Sequence, residues 1–547
     1  MMAVLTAGMM FAEWKPSDVE STCLDMEGVG GQVQMKTIRT DDGKIILSWL
    51  RGERTNGVFA YKLHLQVFNA NGDAMFGDEG IIVCDKPTRT WTTDYALALA
   101  PNGDILLAYE DVRNDVENQE NSEVYIYRYT QQGQPVWDAN GLLFDIPVVH
   151  ETTLSTENMS AKICVSGDNI YLAAMHTEYY MEEANENNWS PSPWFPNQQM
   201  PDSVLVNSGA WNIVLINEDG TIATDQPMQI DANILTMNPA PDGNVYLVYD
   251  NEIMGLDAQL LNNEVNNVWE APVTIEERSL SGGTYMPTPL TAINENENLM
   301  LSYRVLASFY GYQVMNYLTP EGECASEAVS LEGSIDGDAG SAALGVKENR
   351  GMVAWEYAYS GSLNYMKINV VDDNNNYFWQ GDQEHGINLD ENNMWGFTPV
   401  KVIPVADGWV VLYGNLQSWN GANFMVVKID DFGEVVWTKQ IQEDNFKSSG
   451  FSVVYDDKNA YIFYTQETQY DDQWNEIPGS AGMYVMCVDI TGNQSNTSIE
   501  EVQTSNKVNS IEIYTLDGRR VNEMTNGVNI IRTTDENGIV TTKKIIK

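Results

Sequence analysis

The sequence predicts an all-β chain whose main body is a β-propeller of about eight four-stranded blades, followed by a small antiparallel β-sandwich-like module. Three observations carry this. A turn-plus-strand pattern recurs eight times, the strands around it alternate with period two, and no long amphipathic helical stretch interrupts them.

The recurring unit is a polar turn followed by an apolar strand that ends on an aromatic. Its copies read DDGKIILSW (Asp41–Trp49), PNGDILLAY (Pro101–Tyr109), SGDNIYLAAM (Ser166–Met175) and PDGNVYLVY (Pro241–Tyr249). The others are NENENLMLSY (Asn294–Tyr303), KENRGMVAW (Lys347–Trp355), VADGWVVLY (Val405–Tyr413) and DDKNAYIFY (Asp456–Tyr464). Only Met175 departs from the aromatic rule. The end residues lie 60, 66, 74, 54, 52, 58 and 51 apart, the size of a propeller blade with loop insertions. Ahead of each anchored strand runs another alternating segment, such as Tyr95–Leu99 or Phe451–Tyr455. Behind it a third strand turns at Gly or Asn into a fourth that often carries Trp. In Tyr61–Phe76, Val124–Trp137 and Phe424–Trp437 the turn glycine precedes the aromatic by four residues, a constant register. The third and fourth units have the weakest outer strands.

The last unit supplies only three strands, Phe451–Tyr455, Ala460–Thr465 and Met483–Asp489, before the polar run that begins at Gly492. Trp14 stands 35 residues before Trp49, and the matching gaps elsewhere are 33, 38, 34 and 34. Trp14 is therefore expected in the missing outer-strand position, with the N-terminal strand completing the last blade and covering its edge. This gives a propeller over residues 13–493, closed by the N-terminal strand. Residues 1–12, MMAVLTAGMMFA, read as the remnant of an export signal, too short to span a bilayer. A polar linker, 494–507, leads to the terminal module, 508–547. There VNSIEIYTLDGRRV turns at Asp517-Gly518, and Asn526–Lys547 adds two more strands.

The segments IYTLDGRRV (Ile513–Val521), NGVNIIR (Asn526–Arg532) and TTKKIIK (Thr541–Lys547) resemble the C-terminal sorting domain of the type IX secretion system. Gly518, Val521, Gly527, Lys543 and Lys544 match that family's pattern, while Asn529 stands where Tyr is commonest. The resemblance covers the last eighth of the chain. It implies delivery by the secretion machinery through the tail, across the outer membrane of a Gram-negative cell, to the surface or the medium. It carries nothing about activity.

The net charge is -49, from 78 acids and 29 Lys+Arg. Such a surface repels nucleic acid and anionic membranes, which need clustered cations. The charge is uneven, since Glu500–Lys547 holds seven acids and seven bases. Cys23, Cys84, Cys164, Cys324 and Cys487 are odd in number and form no CxxC pair, so no disulfide framework is expected. His64, His150, His176 and His385 are scattered along the chain, which argues against structural zinc.

Ligands of propellers usually bind where second-to-third-strand loops and blade-to-blade links meet. The longest such loop, His176–Ala210, contains Tyr179, Tyr180, Trp189, Trp194 and Phe195; Trp419, Tyr470 and Trp474 occupy equivalent loops. Exposed aromatics stack on sugars or anchor protein partners. These eight are the candidate contacts for an extracellular glycan or protein, the alternative being that they pack the insertion against the rim. The acidic loop Asp111–Glu123 and the runs Asp372–Asn376 and Asp382–Glu384 offer hard oxygens of the kind Ca²⁺ takes. None has EF-hand spacing, so they read as solvated charge and no cofactor is expected. G-x-S-x-G, HExxH and phosphate-cradling loops are absent from the sequence. A divergent propeller glycoside hydrolase acting on polysaccharide through paired carboxylates stays open beside a non-catalytic binding module.

Overall fold

The computed structural model describes residue 14 and residues 22–25, 32–55, 58–77, 79–88, 94–115, 121–185, 187–190, 199–224, 226–280, 288–307, 310–332, 337–359, 363–379, 386–392, 395–418, 421–446, 448–466, 482–492, 508–515, 519–521, 528–535 and 540–546. The chain divides into two compact units, Met1–Gly492 and Asn493–Lys547.

The first unit is an eight-bladed propeller of four-stranded antiparallel sheets. From inner to outer strand, blade 1 is Gln32–Arg39, Ile45–Thr55, Val58–Phe68 and Ile81–Cys84. Blade 2 is Tyr95–Leu99, Ile105–Asp111, Glu123–Tyr129 and Leu142–Leu143. Blade 3 is Thr153–Ser166, Asn169–Glu183, Ser203–Ile216 and Met228–Ile230. Blade 4 is Ile234–Pro239, Val245–Asp250, Leu256–Leu261 and Val273–Glu276. Blade 5 is Leu290–Ile293, Leu299–Ala307, Tyr310–Leu318 and Val329–Ser330. Blade 6 is Gly337–Lys347, Arg350–Tyr359, Leu363–Asp372 and Ile387–Asn392. Blade 7 is Phe397–Val405, Gly408–Ser418, Gly421–Ile429 and Val435–Phe446. Blade 8 is Ser448–Tyr455, Asn459–Gln466, Gly482–Asp489 and, from the N-terminal region, Thr22–Asp25. The third and fourth outer strands, weak in sequence, are both present.

Middle strands are apolar on both faces because each sheet is covered by two neighbours. Ile46 and Leu50 of blade 1 share a core with Ile105, Leu107 and Tyr109 of blade 2, and the pattern repeats around the ring. The recurring aromatics Trp49, Tyr109, Tyr249, Tyr303, Trp355, Tyr413 and Tyr464 are all buried. They are packing residues. In blade 3, Ile170 pairs with Ile216 as Ile45 pairs with Phe68 in blade 1, so Ala174 rather than Met175 takes the aromatic slot.

Thr22–Asp25 runs antiparallel to Gly482–Asp489, and Thr37 Oγ1 lies 2.7 Å from Ser452 Oγ between the inner strands of blades 1 and 8. Trp14 is not in that closing strand but ahead of it. The reason lies in a contact that recurs between blades. In the outer strand or just ahead of it, an aromatic packs on the glycine that turns the third strand of the next blade. The pairs are Trp14 on Gly72, Phe76 on Gly133, Trp137 on Gly220, Trp269 on Gly322, Trp379 on Gly433 and Trp437 on Gly492. At Gly220 φ is +89°, and a Cβ would lie 3.0 Å from the Trp137 ring, so both the backbone and the ring demand glycine. Three indoles also donate Nε1–H to the carbonyl two residues before that glycine: Trp137 to Glu218 at 3.0 Å, Trp269 to Pro320 at 3.0 Å and Trp379 to Asp431 at 3.2 Å. The two remaining interfaces lack both halves of the contact. By register Thr224 and Ser326 stand where the other blades carry the aromatic, and the following turns carry Val265 and Asn375 at positive φ in place of glycine. Val265 fills the space itself, joining a core with blade 3, and Asn375 Nδ2 reaches back to the Glu327 carbonyl at 3.4 Å.

In the second unit the described strands form one four-stranded antiparallel sheet, ordered Arg520–Val521, Val508–Thr515, Val528–Asp535 and Val540–Ile546. Ile513 pairs with Val521 on one side and Ile531 on the other. Lys543 and Lys544 lie opposite Ile531 and Ile530 in the last strand. Gly518 and Gly527 lie outside the described residues.

Candidate functional site

Antiparallel strands put the inner-to-second and third-to-outer turns at one end of the ring. The second-to-third loops and blade-to-blade links fall at the other. The turn end is self-satisfied. Asn69 Oδ1 accepts from the amides of Asn71 and Asp73 at 2.9 and 3.0 Å, and Asp430 Oδ1 accepts from those of Phe432 and Glu434 at 2.9 Å each. Asp373 Oδ2 accepts from the side-chain Nδ2 groups of Asn294, Asn296 and Asn298 at 2.9, 2.7 and 3.0 Å, tying blade 5 to blade 6. Asp372 Oδ1 accepts from the Asn374 and Asn376 amides. These acids cap turns.

The loop end carries the feature with most reach. The expected insertion between His176 and Ala210 is largely a continuation of strand pairing: Asn169–Glu183 and Ser203–Ile216 stay in register from Ile170↔Ile216 to Glu183↔Ser203. Blade 3 thus extends a two-stranded ribbon beyond the ring, backed at its base by Thr153–Ser166. Alternation along the ribbon puts His176, Glu178 and Tyr180 on one face and Tyr179 and Met181 on the other.

Glu178 is the hub of the first face, with its side chain 3% exposed. Its carboxylate accepts from the amides of Val149 and His150 at 2.7 and 3.1 Å, from Thr153 Oγ1–H at 2.8 Å, and pairs with His150 Nδ1 at 2.9 Å. His176 Nε2 lies 3.4 Å away, while its Nδ1 lies 2.7 Å from Asn158 Oδ1. Burial alone would raise the Glu178 pKa; the Val149 amide and His150 imidazole outweigh it and bring it down to about 2. Tyr180 stacks flat on His150, with centroids 3.7 Å apart and rings 6° from parallel. On the other face Tyr179 donates to Glu157 at 2.9 Å. Two histidines that looked scattered in sequence meet on one carboxylate here. The His176-x-Glu178 alternation signalled that these two share a face; nothing local pointed to His150.

Of the eight predicted aromatics, Tyr179 and Tyr180 are strand residues at the ribbon's base, half-buried. Trp189 is half-buried near the tip, its amide bonded to the Asn185 carbonyl at 3.1 Å. Trp194, Phe195, Trp419, Tyr470 and Trp474 lie outside the described residues.

A second cluster, which the sequence did not single out, lies between blades 5 and 6. Glu332 is 4% exposed; its Oε1 accepts from the Gln313 amide at 3.2 Å and its Oε2 has no hydrogen-bond partner among the described residues. Burial pushes it up to about 7, and a nearby carboxylate, Asp338, adds to the effect. Asp338 itself is paired with Arg304 and accepts from the Gly311 amide at 2.7 Å. Burial also raises Glu356, whose Oε1 accepts from the Phe397 amide at 3.1 Å.

In the acidic loop of blade 2, Asp111 is buried against Arg113 at 2.6 Å, Asp115 accepts from Asn121 at 2.9 Å and Glu123 from Asn114 at 2.6 Å. Those carboxylates are held by protein donors. Burial pushes the thiols of Cys84 up to about 11 and of Cys164 and Cys487 up to about 12, the behaviour of inert core residues. Among the described residues no helix is long and apolar enough to cross a membrane.

No protein-family model matches the sequence, and no curated protein matches it either. Solved structures do align along most of the chain. A protein of unknown function from Dyadobacter fermentans is 8% identical over 86% of this chain and 97% of its own, with a TM-score of 0.35. The polysaccharide lyase Uly1 is 9% identical over 83% and 89%, with a TM-score of 0.39. The β-propeller domain of the Trilobed protease from Pyrococcus furiosus is 10% identical over 75% and 98%, with a TM-score of 0.33. Likenesses this distant carry no information on activity.

Proposed function

We propose that this chain is an exported binding protein of the Gram-negative cell surface or medium. Its propeller presents an extracellular glycan or protein with the loop end of blade 3, and its C-terminal unit is the type IX sorting signal. One observation carries the binding reading: among the described residues blade 3 has the longest second-to-third-strand ribbon, and Glu178 fixes the base of that ribbon through five polar contacts. A ribbon held this firmly keeps Tyr180 and Trp189 at low ordering cost, which favours binding. Tyr180→Ala with Trp189→Ala should remove ligand binding while Tm stays near that of the parent. Early unfolding of the double variant would make those aromatics packing residues and sink the reading. The sorting signal is tested by deleting 508–547 and following surface exposure, which should be lost.

The hydrolase reading keeps one specific support, the buried Glu332 carboxyl, whose Oε2 has no hydrogen-bond partner among the described residues and whose pKa burial raises to about 7, in the range of a general acid. Hydrolysis of any polysaccharide by the parent, abolished in Glu332→Gln, would favour it over the binding module.

A further inference from the structure

We propose that the partner seated on the blade 3 ribbon is a cationic polypeptide segment with apolar side chains, rather than a neutral or acidic glycan. This rests on the reading of that ribbon as the binding face. From Tyr129 to Glu277 the chain carries 22 Asp+Glu and a single Lys or Arg, Lys162. That stretch builds the outer strand of blade 2 and all of blades 3 and 4, and Lys162 lies in an inner strand with its amino group 5.5 Å from the Trp211 ring. Elsewhere acids are neutralised in place: Asp94 by Lys36, Asp104 by Arg128, Asp111 by Arg113, Asp431 by Lys347; within the stretch Glu276 pairs with Arg278, just past its end. Among the described residues no Lys or Arg forms an ion pair with the ribbon's exposed Glu151, Glu182, Glu183 or Asp202, and Lys162 sits in the inner strand.

Among these acids the surface is apolar. Val149 is 71% exposed, Leu154 67%, Leu205 59% and Val148 54%. They flank the base of the ribbon, Val149 beside Glu178 on one face and Leu205 beside Met181 on the other. The Val149 amide bonds Glu178, and Leu154 sits in the bulge opposite Tyr179 and Tyr180. Leu205 pairs with Met181, whose backbone is bonded on its other side to Thr152. Large exposed apolar side chains on both faces of the ribbon's base, set among carboxylates, match a segment that brings Lys or Arg beside Leu, Ile or aromatic residues. A neutral sugar would leave the carboxylates unused, and a uronic or sulfated one would be repelled.

The test uses the full chain and three immobilised probes: a short peptide alternating leucine and lysine, its leucine–glutamate counterpart, and a neutral β-glucan oligosaccharide. The leucine–lysine peptide should bind saturably and the other two should not. Leu154→Ser with Leu205→Ser should weaken it by at least about tenfold. Glu182→Gln with Glu183→Gln should weaken it and flatten its salt dependence. Equal binding of that peptide by the parent and the leucine variant would reduce the effect to diffuse charge and overturn the inference. β-Glucan binding that disappears in Tyr180→Ala/Trp189→Ala, without peptide binding, would overturn it while sparing the ribbon as the binding face. Peptide and sugar binding both untouched by Tyr180→Ala/Trp189→Ala would remove the ribbon reading itself.

Discussion

Replacing Trp379 by alanine probes the contact that sets one blade against the next. The Trp379 ring is 4% exposed, packs on Gly433 of blade 7 and donates to the Asp431 carbonyl at 3.2 Å. Truncating a buried Trp costs about 3–5 kcal/mol, combining lost burial with the cavity left behind. The hydrogen bond is the smaller part, about 0.5–1.5 kcal/mol. Trp379→Phe isolates that part, since Phe76 fills the same slot on Gly133 without an indole N–H. The expected ordering is therefore parent, then Trp379→Phe lower by about 1 kcal/mol, then Trp379→Ala lower by about 3–5 kcal/mol. With an unfolding entropy of roughly 2.1 cal/mol/K per residue, the alanine variant of the first unit should melt roughly 3–5 °C lower. Equilibrium unfolding of the full chain by near-UV circular dichroism measures this. Val436→Ala, at an exposed rim position beside the equivalent Trp437, serves as control. If Trp379→Ala falls within about 0.5 kcal/mol of that control, as exposed surface changes do, the contact is incidental and the inter-blade argument fails.

Thr224→Trp alone should destabilise, because the ring meets Val265; adding Val265→Gly should recover at least about 1 kcal/mol of coupling, and additive effects in a double-mutant cycle would contradict the equivalence of the slots. Glu178 has a folded pKa depressed to about 2, so its contribution is present above its unfolded pKa near 4.3 and disappears as pH falls toward 2. Glu178→Gln should therefore remove roughly 3 kcal/mol at pH 7 and lessen the acid dependence between pH 4.5 and 2, read by urea unfolding across that window; an unchanged pH profile would refute the hub. Deleting residues 1–25 removes both Trp14 and the strand on Gly482–Asp489, and should expose blade 8 to proteolysis; cleavage at the parent's rate would contradict closure by that strand.

Periodicity made the blades legible, because each apolar run is dictated by a sheet covered on both faces, as Leu299–Leu301 shows. The regular four-residue gap from turn glycine to aromatic, as in Gly133 and Trp137, was legible too, but as a register within one hairpin. Its meaning was not. Trp137 serves Gly220 of the following blade, 83 residues on, and only the closed ring brings them together. For the same reason Trp14 pointed to closure yet was placed in the strand itself, when it lies ahead of Thr22–Asp25. The aromatic-rich insertion was visible in composition, whereas its form was not. Strand pairing from Glu178 to Glu183 rests on partners such as Ser208 and Ser203 that lack a strong apolar alternation. The Glu178 hub depends on His150, 28 residues upstream on a blade-to-blade link, and such meetings are set by topology rather than by spacing.

The most direct test of the binding reading is a screen of the full chain and of its Tyr180→Ala/Trp189→Ala variant against arrayed extracellular proteins, basic peptides and glycans, with matched melting curves. The account predicts at least one ligand, basic and polypeptide in nature, held by the parent and lost by the variant at unchanged Tm. Every bound ligand being retained by the variant, or no ligand being bound by the parent, would contradict it.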